Sequence, residues 1–161
     1  EEQGVLPDGT NYGLRADAEN YFSVSENLNI KEEKEYIEIE KNLYLSPVKV
    51  GEVVVLNNIF FDRGKSELKK ASYAELDRVV GFLKKNPSVK IEIGGHTEIT
   101  HADPKLSQDR ANGVKNYLVE NGIDKSRVTA VGYANTKPVV QKIGEDAQRL
   151  NRRVEFKIME K

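Results

Sequence analysis

Hydrophobic and polar positions divide this chain into two regions of different rhythm. Through residue 50 the apolar side chains recur at every second position. "NYGLRADAENY" places Tyr12, Leu14, Ala16 and Ala18 on one face, and "EYIEIEKNLYL" repeats the alternation with Ile37 and Ile39 before Leu43 and Leu45. A period of two is that of a half-buried strand. So few strands cannot close a sandwich. Residues 1–50 are therefore expected to form a partial β module or a linker, left through the turn "SPVKVGE" with its Pro47 and Gly51.

From Val53 the rhythm alternates between two and three-to-four. "VVVLNNIFFD" predicts a buried strand rich in β-branched and aromatic residues. Ser72 and Glu75 have capping-box spacing, and Leu76, Val79, Val80 and Leu83 form a helical stripe that Asn86-Pro87 ends. "VKIEIGG" predicts a second strand, with Val89, Ile91 and Ile93 inward, stopping at the paired glycines. A second helix should run from near Leu106 to Asn121-Gly122, burying Ala111, Val114, Tyr117 and Leu118. "RVTAVGY", a short helix near Glu145–Leu150 and "RRVEFKIME", with Val154, Phe156 and Ile158 inward, complete the order. Residues 51–161 thus read as an α+β domain, a β-α-β-α-β-(short α)-β sheet with two long helices packed on one face.

Composition narrows the function classes. Hydrophobic residues are 38% and charged residues 32% of the chain, a globular balance. No apolar run approaches the roughly 20 residues of a spanning helix. The opening "EEQGVLPDGT" is acidic and polar, unlike a signal peptide, and reads as a mature or excised segment. A net charge of −1 leaves no electrostatic footprint for nucleic acid. The absence of cysteine excludes disulfides, thiolate metal sites and a cysteine nucleophile.

The candidate chemistry lies in "GGHTEITHADPKLSQDRAN", which holds both histidines, Glu98, Asp103 and Arg110. His96 and His101 stand five apart, whereas a zincin pair needs four on one helical turn. No third histidine completes a set, so neither metal nor cofactor is expected; His96 should bond local backbone in a tight turn and His101 should be exposed. Ser107 suits a helix cap better than a nucleophile. Glu98 and Asp103 occupy a polar loop with no dry pocket to keep one acid protonated, and no enzyme activity is expected. Binding fits better. A strand–loop–helix unit brings Glu98, at a strand exit, near Arg110, in the first turns of a helix. A carboxylate and a guanidinium around one pocket would clasp a zwitterion, the arginine taking its carboxylate in a bidentate grip. The same two residues equally suit an ion pair with each other or with solvent.

"NNIFFDRGKSEL", "GGHTE", "LSQDRANGVKNYLVENGIDKSRVTAVGYANTKP" and "QRLNRRVEFKI" occur in an order that resembles the OmpA-like peptidoglycan-binding domain of OmpA C-termini, Pal and MotB. The resemblance covers residues 52–160. It implies non-covalent binding of the diaminopimelate in the peptidoglycan stem peptide, in the periplasm, by a protein attached to the outer membrane through a part outside this chain. Outer-membrane or periplasmic proteins would be its other partners. By position, Arg110 matches the family arginine that takes the ligand carboxylate, and Glu98 stands where an aspartate takes the ammonium. Thr97 and Leu106 match the family threonine and leucine, and Phe61 and Asp62 the pair bordering the pocket. Asn151 and Arg153 fall in the closing motif as supporting residues, while salt bridges from Arg152 and Arg153 would lock the short helix to the sheet. The loop is a few residues shorter than the family's and lacks its glycine, and Asp103 replaces an asparagine. Either the longer acid compensates for the shorter loop, or the domain has lost the wall and serves as a protein-interaction scaffold. The N-terminal third resembles the end of a carboxypeptidase-regulatory-like module in Bacteroidota envelope proteins, including PorE-type lipoproteins of type IX secretion.

Overall fold

Alternation of apolar residues does produce a strand at Asn11–Ala16 (β1), but Ala18 lies beyond its end. The computed structural model describes residues 11–16, 18, 20–29, 39–62 and 64–161. Tyr21–Phe22 (β2) and Val24–Asn29 (β3) follow, and β3 pairs antiparallel with β1, Tyr12 opposite Leu28. Ser46–Pro47 (β4) pairs with β2. The strand expected at "EYIEIEKNLYL" does not form where the chain is described: residues 39–45 are irregular, and Tyr44 is fully open to solvent. Ile37 lies outside the described residues. β3, by contrast, is a polar stretch whose strand character comes from its register with β1 and not from a pattern of its own.

The chain divides into two compact units between Pro47 and Val48. The second begins with Val53–Leu56 (β5), shorter than the apolar run suggests, and continues with the helix Tyr73–Lys85 (α1) and the strand Lys90–His96 (β6). Pro104–Glu120 (α2), Val128–Ala134 (β7), Glu145–Asn151 (α3) and Val154–Glu160 (β8) complete it. The sheet order is β5-β8-β6-β7. β6 and β7 are parallel, as a helical crossover permits, and β8 inserts antiparallel between β5 and β6. Val54, Leu56, Ile91, Ile93, Phe156 and Ile158 are buried beneath α1 and α2, whose Leu76, Val79, Leu83, Ala111, Val114 and Leu118 close the core. Tyr117 departs from the expected stripe. It lies at the seam between the two helices, its ring 4.9 Å from that of Tyr73 and its hydroxyl donating to Asp77.

Gly94 and Gly95 do not end the strand; β6 runs through them to His96. A Cβ on Gly95 would stand 2.2 Å from the Ser107 carbonyl oxygen, and one on Gly132 would stand 2.4 Å from the Gln108 nitrogen. The two glycines let the start of α2 lie directly on the sheet, which fixes the position of the residues that follow in that helix.

Two cap assignments change. Ser72 makes no cap bond; its Oγ accepts from the Phe60 N–H, while Glu75 pairs with Arg78 at 2.7 Å. α2 starts at Pro104, and its cap is Asp103, whose carboxylate accepts from the Leu106 N–H at 2.8 Å. Ser107 is buried inside the first turn, bonding the Pro104 carbonyl and accepting from the Ala134 N–H.

Candidate functional site

The ends of β6 and β7 are held in an unusual conformation. Ala134 has φ +48°, a left-handed geometry that an alanine adopts only under constraint. Its N–H is fixed by Ser107 and its carbonyl accepts from Thr97 N–H at 2.8 Å. The loop after β6 leaves from this anchor and is tied on by Ile99, which donates to the Gln148 side chain and accepts from Asn135. Helix α2 then returns beside it and carries Arg110.

Arg110 is clamped from one side. Its Nε donates to the Lys65 carbonyl at 3.0 Å and one Nη to the Asp62 carbonyl at 3.4 Å, and its guanidinium lies 4.8 Å above the Phe61 ring. No carboxylate bonds it among the described residues. Burial, and next the neighbouring charge of Arg152, press its pKa below the ordinary value, against a smaller opposing pull from Asp103. An anion bound beside it would offset both by direct attraction. Its fork faces a cleft of about 130 Å³, room for a small head group, whose wall includes Phe61, His96, Arg110, Arg149, Arg152 and Arg153.

The expected residues separate into three groups. Phe61, Arg110 and Arg153 share the cleft. Asp62 is not on the cleft wall: its carbonyl accepts from Arg110, and its exposed carboxylate pairs with Lys69 at 2.6 Å, an ion pair that, hydrogen bond first, draws its pKa down. Asp103 and Leu106 line a second, shallower depression with Lys65 and Asp109. Thr97 is buried, its hydroxyl without a partner among the described residues. Asn151 is fully enclosed and bonded to Val139 and Val140, so it holds the preceding loop.

Glu98 pairs with Arg152 and not with Arg110. Its Oε2 lies 2.7 Å from Nη1 of Arg152, whose Nη2 lies 2.7 Å from Glu145. Those two carboxylates, Glu145 first, raise the Arg152 pKa. Arg153 bonds Glu155 at 2.9 Å and the Lys137 carbonyl, leaving its Nη1 buried without a partner among the described residues. His96 is not in a tight turn. It ends β6 almost fully buried, stacked on Tyr133, with Nε2 3.0 Å from Glu155 but out of line for a hydrogen bond. His101 is exposed. Among the described residues no three metal-ligating side chains gather. The arginines at 149 and 152 and the histidine are cleft residues that spacing arguments missed; the signal for the arginines was the density of cations in "QRLNRR", and His96 had none beyond its place in "GGHTE".

A split β-α-β sheet with both long helices on one face, and a cationic cleft at the strand ends, defines an α+β domain built to present a charged pocket. The OmpA family model matches residues 60–152. The chain belongs to the OmpA family. Outer membrane porin F of Pseudomonas aeruginosa is 40% identical over 114 residues, covering 68% of this chain and 33% of that protein. The probable lipoprotein YiaD of Escherichia coli is 30% identical over 118 residues, covering 70% and 54%. The chain therefore spans about a third of the length of its porin F relative. Among solved structures, the cell wall anchor of the T6SS from Pseudomonas aeruginosa superimposes with a TM-score of 0.59 at 24% identity, covering 68% of this chain and 80% of that one. The peptidoglycan-associated lipoprotein from Burkholderia pseudomallei gives 0.56 at 24%, covering 64% and 88%. At that identity the likeness is one of fold.

Proposed function

We propose that this chain binds peptidoglycan non-covalently through the diaminopimelate of the stem peptide, and so tethers an outer-membrane protein or complex to the cell wall. The observation that carries the reading is Arg110: a half-buried guanidinium, held by two carbonyls and a phenyl ring, with no carboxylate partner among the described residues. Such a group is preorganised for a ligand carboxylate. Glu98 is the nearby acid for the ligand's ammonium once Arg152 releases it. Family membership and the relatives named as an outer membrane porin, a lipoprotein and a cell wall anchor support a periplasmic site of action, with the outer-membrane attachment outside this chain. Among the described residues no helix is long and apolar enough to cross a membrane.

Calorimetry with a diaminopimelate-containing muropeptide tests the reading directly; no heat at millimolar ligand ends it. The engagement of Glu98 by Arg152 favours a second reading, in which the domain has lost the wall and serves as a protein-interaction scaffold of an envelope complex such as a type IX secretion system. Sedimentation with purified sacculi separates the two: the scaffold stays in the supernatant, whereas the wall binder pellets and a Glu98→Ala/Arg110→Ala variant does not. The chain acts as a binder and not a hydrolase, so sacculi incubated with it should release no muropeptides.

A further inference from the structure

We infer that Arg152 is the specificity-determining residue of this cleft, because it holds Glu98 in an ion pair with which a ligand's ammonium must compete. The inference rests on the reading that the cleft takes an amino-acid head group. Glu98 is not on the cleft wall, whereas Arg152 is. Arg152 stands just past the end of α3 and reaches in two directions, to Glu98 in the loop after β6 and to Glu145 in the first turn of its own helix. Both contacts are 2.7 Å, and Glu98 and Arg152 are each only about a third exposed, at 29% and 35% of their side chains. The charge an ammonium would seek is thus already offset by a cation bonded to one oxygen of that carboxylate.

The two ends of a zwitterion therefore meet different receptions. At Arg110 a carboxylate finds a guanidinium that, among the described residues, is bonded to neutral carbonyls and an aromatic ring alone. At Glu98 an ammonium meets a carboxylate whose charge Arg152 already offsets, and the gain is correspondingly small. The wild-type cleft consequently reads the carboxylate of its ligand and takes little from the amine. Replacing Arg152 by a neutral residue frees Glu98 and restores discrimination for the amine, while Arg110 continues to hold the carboxylate.

The test compares a diaminopimelate-containing muropeptide with the same molecule acetylated on its free amine, each titrated into the full 161-residue chain and its variants. The ratio of the two affinities isolates the amine, since both ligands keep their carboxylates. In Arg152→Gln that ratio should rise about two- to fivefold, the worth of a partly exposed ion pair. Adding Glu98→Gln to Arg152→Gln should return it to the wild-type value. Glu98→Gln alone should change affinity for the free amine less than about twofold. An unchanged or smaller ratio in Arg152→Gln, or a tenfold loss in Glu98→Gln, overturns the inference while leaving the proposed function standing. Failure of the wild type to bind either muropeptide removes both. Binding of the acetylated form by Arg152→Gln shows that the variant cleft is intact.

Discussion

At the scale of single residues, environment separates side chains of the same type. Arg110, Arg127, Arg152 and Arg153 are all arginines, yet their tasks differ. Arg127 is consumed by the carbonyls of Leu83, Asn86 and Val89 and ties α1 to the sheet. Arg110 spends only Nε and Nη2 on carbonyls among the described residues, and on the proposed reading its remaining donors meet a ligand. Truncating it to alanine should weaken muropeptide binding by about 2–4 kcal/mol, because the ligand carboxylate then loses a partly desolvated partner. A calorimetric loss below about 0.5 kcal/mol would make Arg110 a purely structural clamp for the loop before α1. Two glutamates diverge in the same way. Burial alone would raise Glu155, but its contacts with His96 and Arg153 outweigh it and hold the carboxyl below its ordinary range. A depressed folded-state pKa gives stability that is complete above the unfolded value near about 4.3 and is lost as pH falls through the folded one. Glu155→Gln should therefore unfold at lower urea than wild type at neutral pH, and the gap should close as pH falls below about 4. Glu75 runs oppositely: burial is its largest influence and raises it against Arg78, so protonation on acidification favours the folded form.

At the scale of elements, the contact between α2 and the β6–β7 pair decides whether a site exists. That contact depends on two positions with no side chain. Gly95→Ala would drive a methyl into the Ser107 carbonyl, which is backbone and cannot swing aside. Overpacking of this kind destabilises by about 1–3 kcal/mol or more. Urea denaturation should show that loss. Muropeptide affinity should fall with it, since α2 carries Arg110 and would be lifted from the sheet. Gly81, where an added Cβ meets nothing nearby, is the control: Gly81→Ala lies within α1 and should leave both properties unharmed or add a few tenths of a kcal/mol from helix propensity.

At the scale of the whole molecule, a cleft with one strong contact point gives a reversible grip. Tethering by such a domain requires an anchor elsewhere or several copies acting together. The chain alone should pellet with sacculi only partially, and less so as salt rises, because charge pairs at an open cleft are screened within a Debye length of about 10 Å at 0.1 M. The chain divides at Pro47/Val48, and every residue lining the cleft falls in the second unit. Produced alone, residues 48–161 should bind muropeptide with the affinity of the full chain, and a large loss would assign residues 1–47 a part in the site.

The sequence by itself determined the alternation of helices and strands from Val53 onward, because each element there has one buried face and its apolar residues repeat at the element's own period. It also carried the family resemblance, and with it the expectation that Arg110 faces a pocket. It did not determine β3, which is polar and exists through its register with β1, nor the path of residues 39–45, whose alternation had no strand to pair with among the described residues. The start of α2 was present in Asp103-Pro104, a cap and a first-turn proline, but Ser107 offered a competing cap, and only packing decided between them. The partner of Glu98 was beyond the sequence altogether. Nothing in the spacing of Glu98, Glu145 and Arg152 says that a loop, a helix and a chain reversal will meet within one ion pair. That meeting is settled by the insertion of β8 between β5 and β6, which brings the end of α3 beside the exit of β6.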